Sequence, residues 1–383
     1  MAMAEVVVFD DDNEFLRPLN LTRPTHTLIY SFRTILSHIR KHIAKPYAFI
    51  LPNRFRNFYA ESGAVVNPEE SQLSGDIILV NSSVKPEKDI LEGIAKLREN
   101  TALISSGRIA ALRTTSFSYE MLSSISKIRE KGIELLESDI LMKGPWELIS
   151  SLSHGLEGKG VIYGERVSVE EPVHFDTSRG PILIADGVKI EAFTRIEGPV
   201  LVGRASIIHS ARLNAFTYIG ENCRVGGEVE QSVFSSYSNK AHFGYLGHSY
   251  VGEWVNVGAG SVTSDLKNTY GTVRVQIGLQ RIDTGMVKLG SFIGDYSKIA
   301  INTSIYAGKK IGSGAYVYGL VDRDVAPYMS YDDKRCIELE IDSVINTARR
   351  MKKRRNQELG KGEEELIRKS YEETAEERRK MLE

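Results

Sequence analysis

The chain has 383 residues, 42% of them apolar and 26% charged, with a formal charge of −1. That length and composition describe a soluble globular protein of two or three domains, and a balance so near zero excludes a general attraction to nucleic acid. No apolar run approaches the roughly 20 residues that cross a bilayer, and the opening MAMAEVVVFDDD has acids where a signal peptide has a basic end, so a cytoplasmic protein with neither a membrane nor a nucleic-acid partner is expected.

Residues 1–143 mix short β-branched runs with helical stretches. VVVF (6–9) and DIILV (76–80) read as buried strands, being short and apolar with acidic or turn-forming flanks. Residues 30–43 read as a helix, with Ile35, Ile39 and His42 or Ile43 at helical spacing and basic residues between them. Residues 87–100 and 119–136 repeat that pattern. Strands alternating with helices predict a Rossmann-like α/β domain with a mostly parallel sheet covered on both faces. PWELISSLS (145–153) opens with a proline suited to a first helical turn, which makes residues 144–154 a connecting helix.

The character then changes. Of the 33 glycines, 25 fall between residues 155 and 319, and Ile, Val or Leu precedes a glycine or small residue with a period near six. Short strands that each turn a corner and stack on the coil beneath require this pattern, so residues 155–333 predict a left-handed parallel β-helix of hexapeptide repeats. Residues 227–249 and 264–288 break the repeat and are expected to leave the coil as loops, where function concentrates. Residues 334–383 form a charged helical tail. It contains RRMKKRR (349–355) followed by GKGEEE, a mixed-sign pattern without aromatics that reads as a solvated or bundle-forming helix before a nucleic-acid site.

Cys223 and Cys336 have no metal-spaced partners, which argues against a disulfide framework or zinc knuckle. Hexapeptide helices as a class are mostly trimeric acyltransferases that bind a coenzyme A thioester between coils, with zinc enzymes and non-catalytic subunits as the minority. A zinc site would need His209, His242 and His248 to converge, and the six-residue step from His242 to His248 turns the second onto another face.

Residues 226–271, GGEVEQSVFSSYSNKAHFGYLGHSYVGEWVNVGAGSVTSDLKNTYG, resemble the acetyltransferase half of the bifunctional enzymes that make UDP-N-acetylglucosamine. Those enzymes acetylate glucosamine 1-phosphate and then attach uridylate. The family's histidine, the tyrosine three residues on, the valine-asparagine and the glycine-alanine-glycine have counterparts at His242, Tyr245, Val255 with Asn256, and Gly258, Ala259 and Gly260. The likeness is greatest to a variant branch from Bacteroidetes-type bacteria and some archaea, through SNK (238–240), SDLKN (264–268), FDD (9–11), TRP (22–24) and PWELI (145–149).

The resemblance implies a nucleotidyltransferase-like domain over 1–143 and an acetyltransferase β-helix over 155–333, in a homotrimer. Acetyl transfer needs a neutral amine, so a base must accept a proton; imidazole is the side chain suited to that, and His242 is the expected base. Arg195, Arg212, Lys240 and Lys267 are the expected cations for the acceptor phosphate, and Tyr245, Asn256 and Asn268 the groups that orient the sugar. Ala259, Gly260, Ser261, Lys298 and Ala300 are the expected acetyl-CoA contacts, with a backbone amide of that corner for the oxyanion.

Two departures stand out. The family's lysine a dozen residues before the histidine is missing from EVEQSVF (228–234), and its asparagine after the glycine-alanine-glycine falls at Asp265. The N-terminal segment VVVFDDDNEFLRPLNLTRP (6–24) lacks the glycine-rich phosphate loop of sugar nucleotidyltransferases. Arg23 then stands in as a phosphate clamp for UTP or dTTP, with Asp10 and Asp11 on Mg2+, or the domain is inactive and retained for packing. For the whole chain the alternative to an enzyme is a trimeric sugar-nucleotide-binding or regulatory subunit with degenerate sites.

Overall fold

The computed structural model describes residues 4–333 and 335–383; residues 1–3 and Lys334, where the charged tail begins, lie outside the described residues. The N-terminal sheet runs in the order Ala48–Ile50, Glu5–Phe9, Ile77–Asn81, Arg108–Thr114, Thr101–Ser105, Glu134–Ser138. Glu5–Phe9 is parallel to both of its neighbours, whereas Arg108–Thr114 is antiparallel to both of its own. Val6, Val8, Ile78 and Val80 bury one face; Val7, Phe9, Ile77 and Leu79 bury the other. Cover on both faces is why these strands read as unbroken apolar runs.

The helices are shorter than their periodicity implies. Ile29–Tyr30 and Arg33–Thr34 form a two-stranded hairpin, and the helix Ile35–His42 starts only where the Thr34 side chain accepts from Ser37 N–H. Residues 119–136 divide likewise. Ser124 is extended and caps a second helix, Ile125–Glu130, and the remainder becomes the edge strand Glu134–Ser138.

From Val161 onward the chain winds into a three-sided parallel β-helix, with each strand paired to the one a coil earlier. On the first side, alternate residues point in opposite directions. Val202, Ile219, Phe234, Val251, Ile293 and Ile311 stack inward in register. Their neighbours Leu201, Tyr218, Val233, Tyr250 and Phe292 form an outward apolar ladder, which shares one apolar cluster with Leu28 and Ile29 of the N-terminal domain and Leu148 and Ile149 of the connecting helix.

Of the two expected loops, one is corrected. Residues 227–249 do not leave the coil: Val233 and Phe234, Asn239 and Lys240, and the strand Tyr245–Gly247 build a complete turn of the helix. The repeat was obscured because Lys240 occupies an inward position and is 1% exposed. Residues 264–288 do depart, and Phe292 pairs with Tyr250 across the gap. The excursion contains the hairpin Arg274–Ile277 with Gln280–Asp283, whose Val275 and Ile277 join the apolar cluster on the first side.

The tail is three helices, Ile341–Lys353, Lys361–Glu373 and Ala375–Leu382, instead of one. Its basic run is partly internal. Lys352 is buried against Glu363 at 2.5 Å and lies over the Trp254 ring, and Arg355 donates to Asn239 Oδ1. Among the described residues no helix is long and apolar enough to cross a membrane.

Loop 10–34 fastens these parts together. Arg23 Nε donates to Asp295 Oδ2 at 2.9 Å and Nη2 lies 2.9 Å from Oδ1; Thr22 Oγ1 adds a third bond to Asp295 at 2.7 Å. Ile29 N–H donates to Tyr250 Oη at 2.9 Å. Breaking a buried pair leaves an unmatched charge, so Arg23→Met or Asp295→Leu alone is expected to cost about 3–5 kcal/mol, and the double substitution less than either single one. Denaturant unfolding of the three variants measures this, and additive losses would contradict the coupling.

Candidate functional site

The corner at residues 241–244 sits directly above the corner at 258–261. Gly260 N–H donates to Phe243 O at 3.0 Å. Gly244 has φ +127° and a Cβ there would lie 2.2 Å from Ser261 O; Gly260 has φ +75° and its Cβ would meet Asn302 Oδ1 at 2.2 Å. Only glycine permits this approach. Gly258 N–H bonds Ile299 O, and Ser261 N–H bonds Gly258 O, which leaves the Ala259 amide as the one N–H of this corner with no acceptor among the described residues. The His242 side chain, one 17-residue coil above Ala259, is exposed. An exposed imidazole near an uncommitted amide is the pairing that acyl transfer uses.

Lys240 is not the phosphate ligand expected. Its Nζ turns inward and donates to the carbonyls of Gly226 (3.2 Å), His242 (3.1 Å) and Gly244 (2.6 Å), so it braces the bend that carries His242. Lys298 is spent similarly on the carbonyls of Trp254, Tyr296 and Ser297 and does not offer its ammonium to a coenzyme. Ala300 bonds Val317 O through its amide and accepts Ser261 Oγ. Lys267 Nζ donates to Thr272 O at 2.9 Å and ties down the base of the excursion, where Asn268 is exposed. Asn256 is exposed on a neighbouring side, in register with Asn239 and Lys298.

Arg195, Arg212, Glu228 and Tyr245 form one lateral ladder. At ~4.8 Å per strand, Arg212 is about 10 Å and Arg195 about 14 Å from Tyr245 along it. Both are paired: Arg195 with Glu197 and Asp176, and Arg212 with Asn214 at 3.1 Å and Glu228 at 3.7 Å.

Sequence reasoning missed a cluster beside them. The hydroxyl of Tyr245 and Nδ1 of His248 each lie 2.7 Å from Asp265 Oδ2, and His248 is buried with φ +47°. Burial opposes ionisation of Asp265, but bonds from His248 and Tyr245 outweigh it and hold the carboxylate below its usual range. Burial and the two nearby carboxylates, Asp265 and Glu230, push the Tyr245 phenol up. A signal was present in the numbering: Asp265 follows His248 by 17 residues, the interval that also separates the paired Val233 and Tyr250 one coil apart.

In the N-terminal domain the expected nucleotide ligands are engaged elsewhere. Arg23 holds Asp295 and Glu253. Asp10 is buried and accepts the amides of Thr25 and Asp12; burial pushes its carboxyl upward. Asp11 is gripped by two nitrogens of Arg108 at 2.8 Å each. These carboxylates do not fit a Mg2+ site, and no group of three or more His, Cys, Asp or Glu side chains among the described residues does.

The chain is thus an α/β domain followed by a hexapeptide β-helix. Residues 6–158 match the family described as sugar nucleotidyl transferase. The chain is 34% identical over 187 residues to a bifunctional sugar-1-phosphate nucleotidylyltransferase/acetyltransferase of Sulfurisphaera tokodaii, covering 47% of this chain and 45% of that one. It is 24% identical over 249 residues to the bifunctional protein GlmU of Xylella fastidiosa, 63% of this chain and 48% of that protein. A solved UDP-N-acetylglucosamine acyltransferase from Campylobacter jejuni overlaps 54% of this chain and 95% of its own at 13% identity, with a TM-score of 0.25. The chain spans about half the length of the curated relatives it matches, and over that part it is similar to a bifunctional sugar-1-phosphate nucleotidylyltransferase/acetyltransferase.

Two lysines whose ammonium groups are spent on carbonyls make stability depend on pH. Burial brings Lys240 down to about 8 and Lys298 to about 7, against ~10.4 in the unfolded chain. The unfolded state therefore binds more protons between these values, and the unfolding free energy should rise with pH from about 7 to 9.5, below the ionisation of unfolded tyrosine. Denaturant midpoints over that range test it, and Lys240→Met should flatten the rise while lowering stability by about 1–3 kcal/mol through its three orphaned carbonyls.

Proposed function

We propose that the β-helix transfers an acetyl group from acetyl-CoA to the amine of an amino-sugar 1-phosphate of the glucosamine 1-phosphate type, and that the N-terminal domain belongs to a sugar-1-phosphate nucleotidyltransferase system that uses UTP or dTTP. The observation that carries the first part is the stacked corner, with an exposed His242 one coil above the free Ala259 amide. His242 takes the proton of the attacking amine as the nitrogen bonds the thioester carbonyl. The Ala259 N–H holds the oxygen that gains charge. When the carbon–sulfur bond breaks, the imidazolium returns its proton to the departing thiolate. With Lys240 turned inward, Arg212 and Arg195 on the Tyr245 ladder are the cations for the acceptor phosphate.

The names of the relatives support both parts, since each is called bifunctional. For the nucleotidyl part, phosphate binding must come from groups other than Arg23, Asp10 and Asp11. A homotrimer fits the exposed Phe243 (69%) and Ile301 (67%) at the same edge of the coil, which neighbouring copies would cover.

A second base is available in His248, which Asp265 orients as a carboxylate orients imidazole in acyl transfer. Release of coenzyme A from acetyl-CoA with glucosamine 1-phosphate separates the two. His242→Ala is expected to lower kcat at least about a hundredfold with the unfolding midpoint unchanged, and His248→Asn to act mainly on stability. Normal turnover by His242→Ala with loss in His248→Asn would transfer the role to His248; normal turnover in both would refute base catalysis at this site.

A further inference from the structure

A cavity of about 320 Å³ opens at the junction between the N-terminal domain and the first coil, walled by Tyr30, the helix Ile35–His42, the start of the helix Lys88–Ala95 and residues 154–157. Its volume suits a small molecule. Arg33, Lys41 and Lys88 bring fixed positive charge to the wall, and His38, His42 and His154 add imidazoles. The opposing carboxylates are Glu87 and Glu157. Glu87 already accepts the Tyr30 hydroxyl at 3.0 Å, and Lys88 faces Glu92 one turn along its helix. Arg33 and Lys41 hold no ion pair among the described residues, and both side chains are exposed.

A second feature of this wall favours an anion. The helix Lys88–Ala95 begins at Glu87, whose side chain does not cap it, and nothing else on a side chain does. The amides of Lys88, Asp89 and Ile90 accordingly have no acceptor among the described residues, and of these residues Lys88 lines the cavity, with Asp89 the acid of the same turn. A surface lysine gains little from a charge in water, but two cations without ion pairs among the described residues share this concave wall with the start of a helix, and these are the groups that receive a phosphate.

We propose that this cavity binds the phosphate of a small phosphorylated molecule, held by Arg33, Lys41 and the first-turn amides of Lys88–Ala95. The site is distinct from the His242 corner and does not depend on acetyl transfer there. It uses none of Asp10, Asp11 and Arg23. Its walls include the connection 154–157, so an occupant touches the N-terminal domain and the approach to the coil together.

Calorimetric titration of the full chain with inorganic phosphate, glucose 1-phosphate and UTP tests the proposal. The probe with the highest affinity tells whether a bare phosphate, a sugar-borne one or a nucleotide polyphosphate is preferred. The double variant Arg33→Ala with Lys41→Ala, which alters only exposed side chains, is expected to weaken that binding at least tenfold and to retain wild-type coenzyme A release. No binding of any probe at millimolar concentration, or equal affinity in the double variant, overturns the proposal. Failure of acetyl transfer in the wild-type chain would count against the function of the coil alone, because the tenfold loss is read without turnover.

Discussion

The ion pair of Arg23 with Asp295 determines what the first loop of the chain is able to do. Asp295 is 3% exposed and receives Arg23 through two nitrogens, Thr22 through its hydroxyl and the Glu253 amide. A charge taken that far from water persists only when its partner is equally fixed. The loop that follows the first strand of an α/β domain is ordinarily the place for a ligand's phosphates. Here it is a structural connector. Asp12 holds Arg54 and Arg17, and Arg54 reaches Glu373 in the tail, so domain, coil and tail meet on one segment and each restricts the motion of the others.

Inside the coil the same economy of polar groups appears at smaller scale. A hexapeptide helix turns three times per coil, and every corner leaves carbonyls that the strands cannot use. At two corners a lysine ammonium supplies the missing donor, Lys240 from an inward position and Lys298 from an outward one. Lys240 does so under His242 and Lys298 beneath Trp254. The charge costs desolvation, visible in the downward shifts of both ammonium groups, and is offset by three carbonyl acceptors each. The geometry of the proposed reacting group therefore depends on a residue that does not touch a substrate.

Much of the fold was legible because apolar periodicity and glycine spacing report directly on burial and on corners. The strands 6–9 and 76–80, the coil and the excursion near 264–288 follow from that alone. What escaped notice had a common cause, namely side chains whose type disguises their position. Lys240 reads as a cation for the acceptor phosphate and is core; Arg23 reads as a phosphate clamp and is a clamp on Asp295. The helix over 119–136 was overextended because Ser124 caps a new turn with a side-chain oxygen, an event that hydrophobic periodicity does not register. His248 and Asp265 were separable in sequence yet stacked in space, since a coil converts a 17-residue interval into one strand spacing. The resemblance points to His242 and its corner, but free amides and spent cations are properties of packing and can be read only from coordinates.

The apolar ladder of Leu201, Tyr218, Val233, Tyr250 and Phe292 has an implication for symmetry. A triangular prism has three faces, and this ladder commits one of them to the N-terminal domain and the returning hairpin. Copies of the coil can then approach one another only over the other two faces and the ridge where these meet. That ridge is the turn between the strands Asn239–Lys240 and Tyr245–Gly247, repeated a coil later between Asn256–Val257 and Val262–Thr263. An axis of rotation parallel to the prism would bring such ridges into neighbouring clefts, so the seating of the N-terminal domain on one face leaves His242 at the edge from which a ring would close.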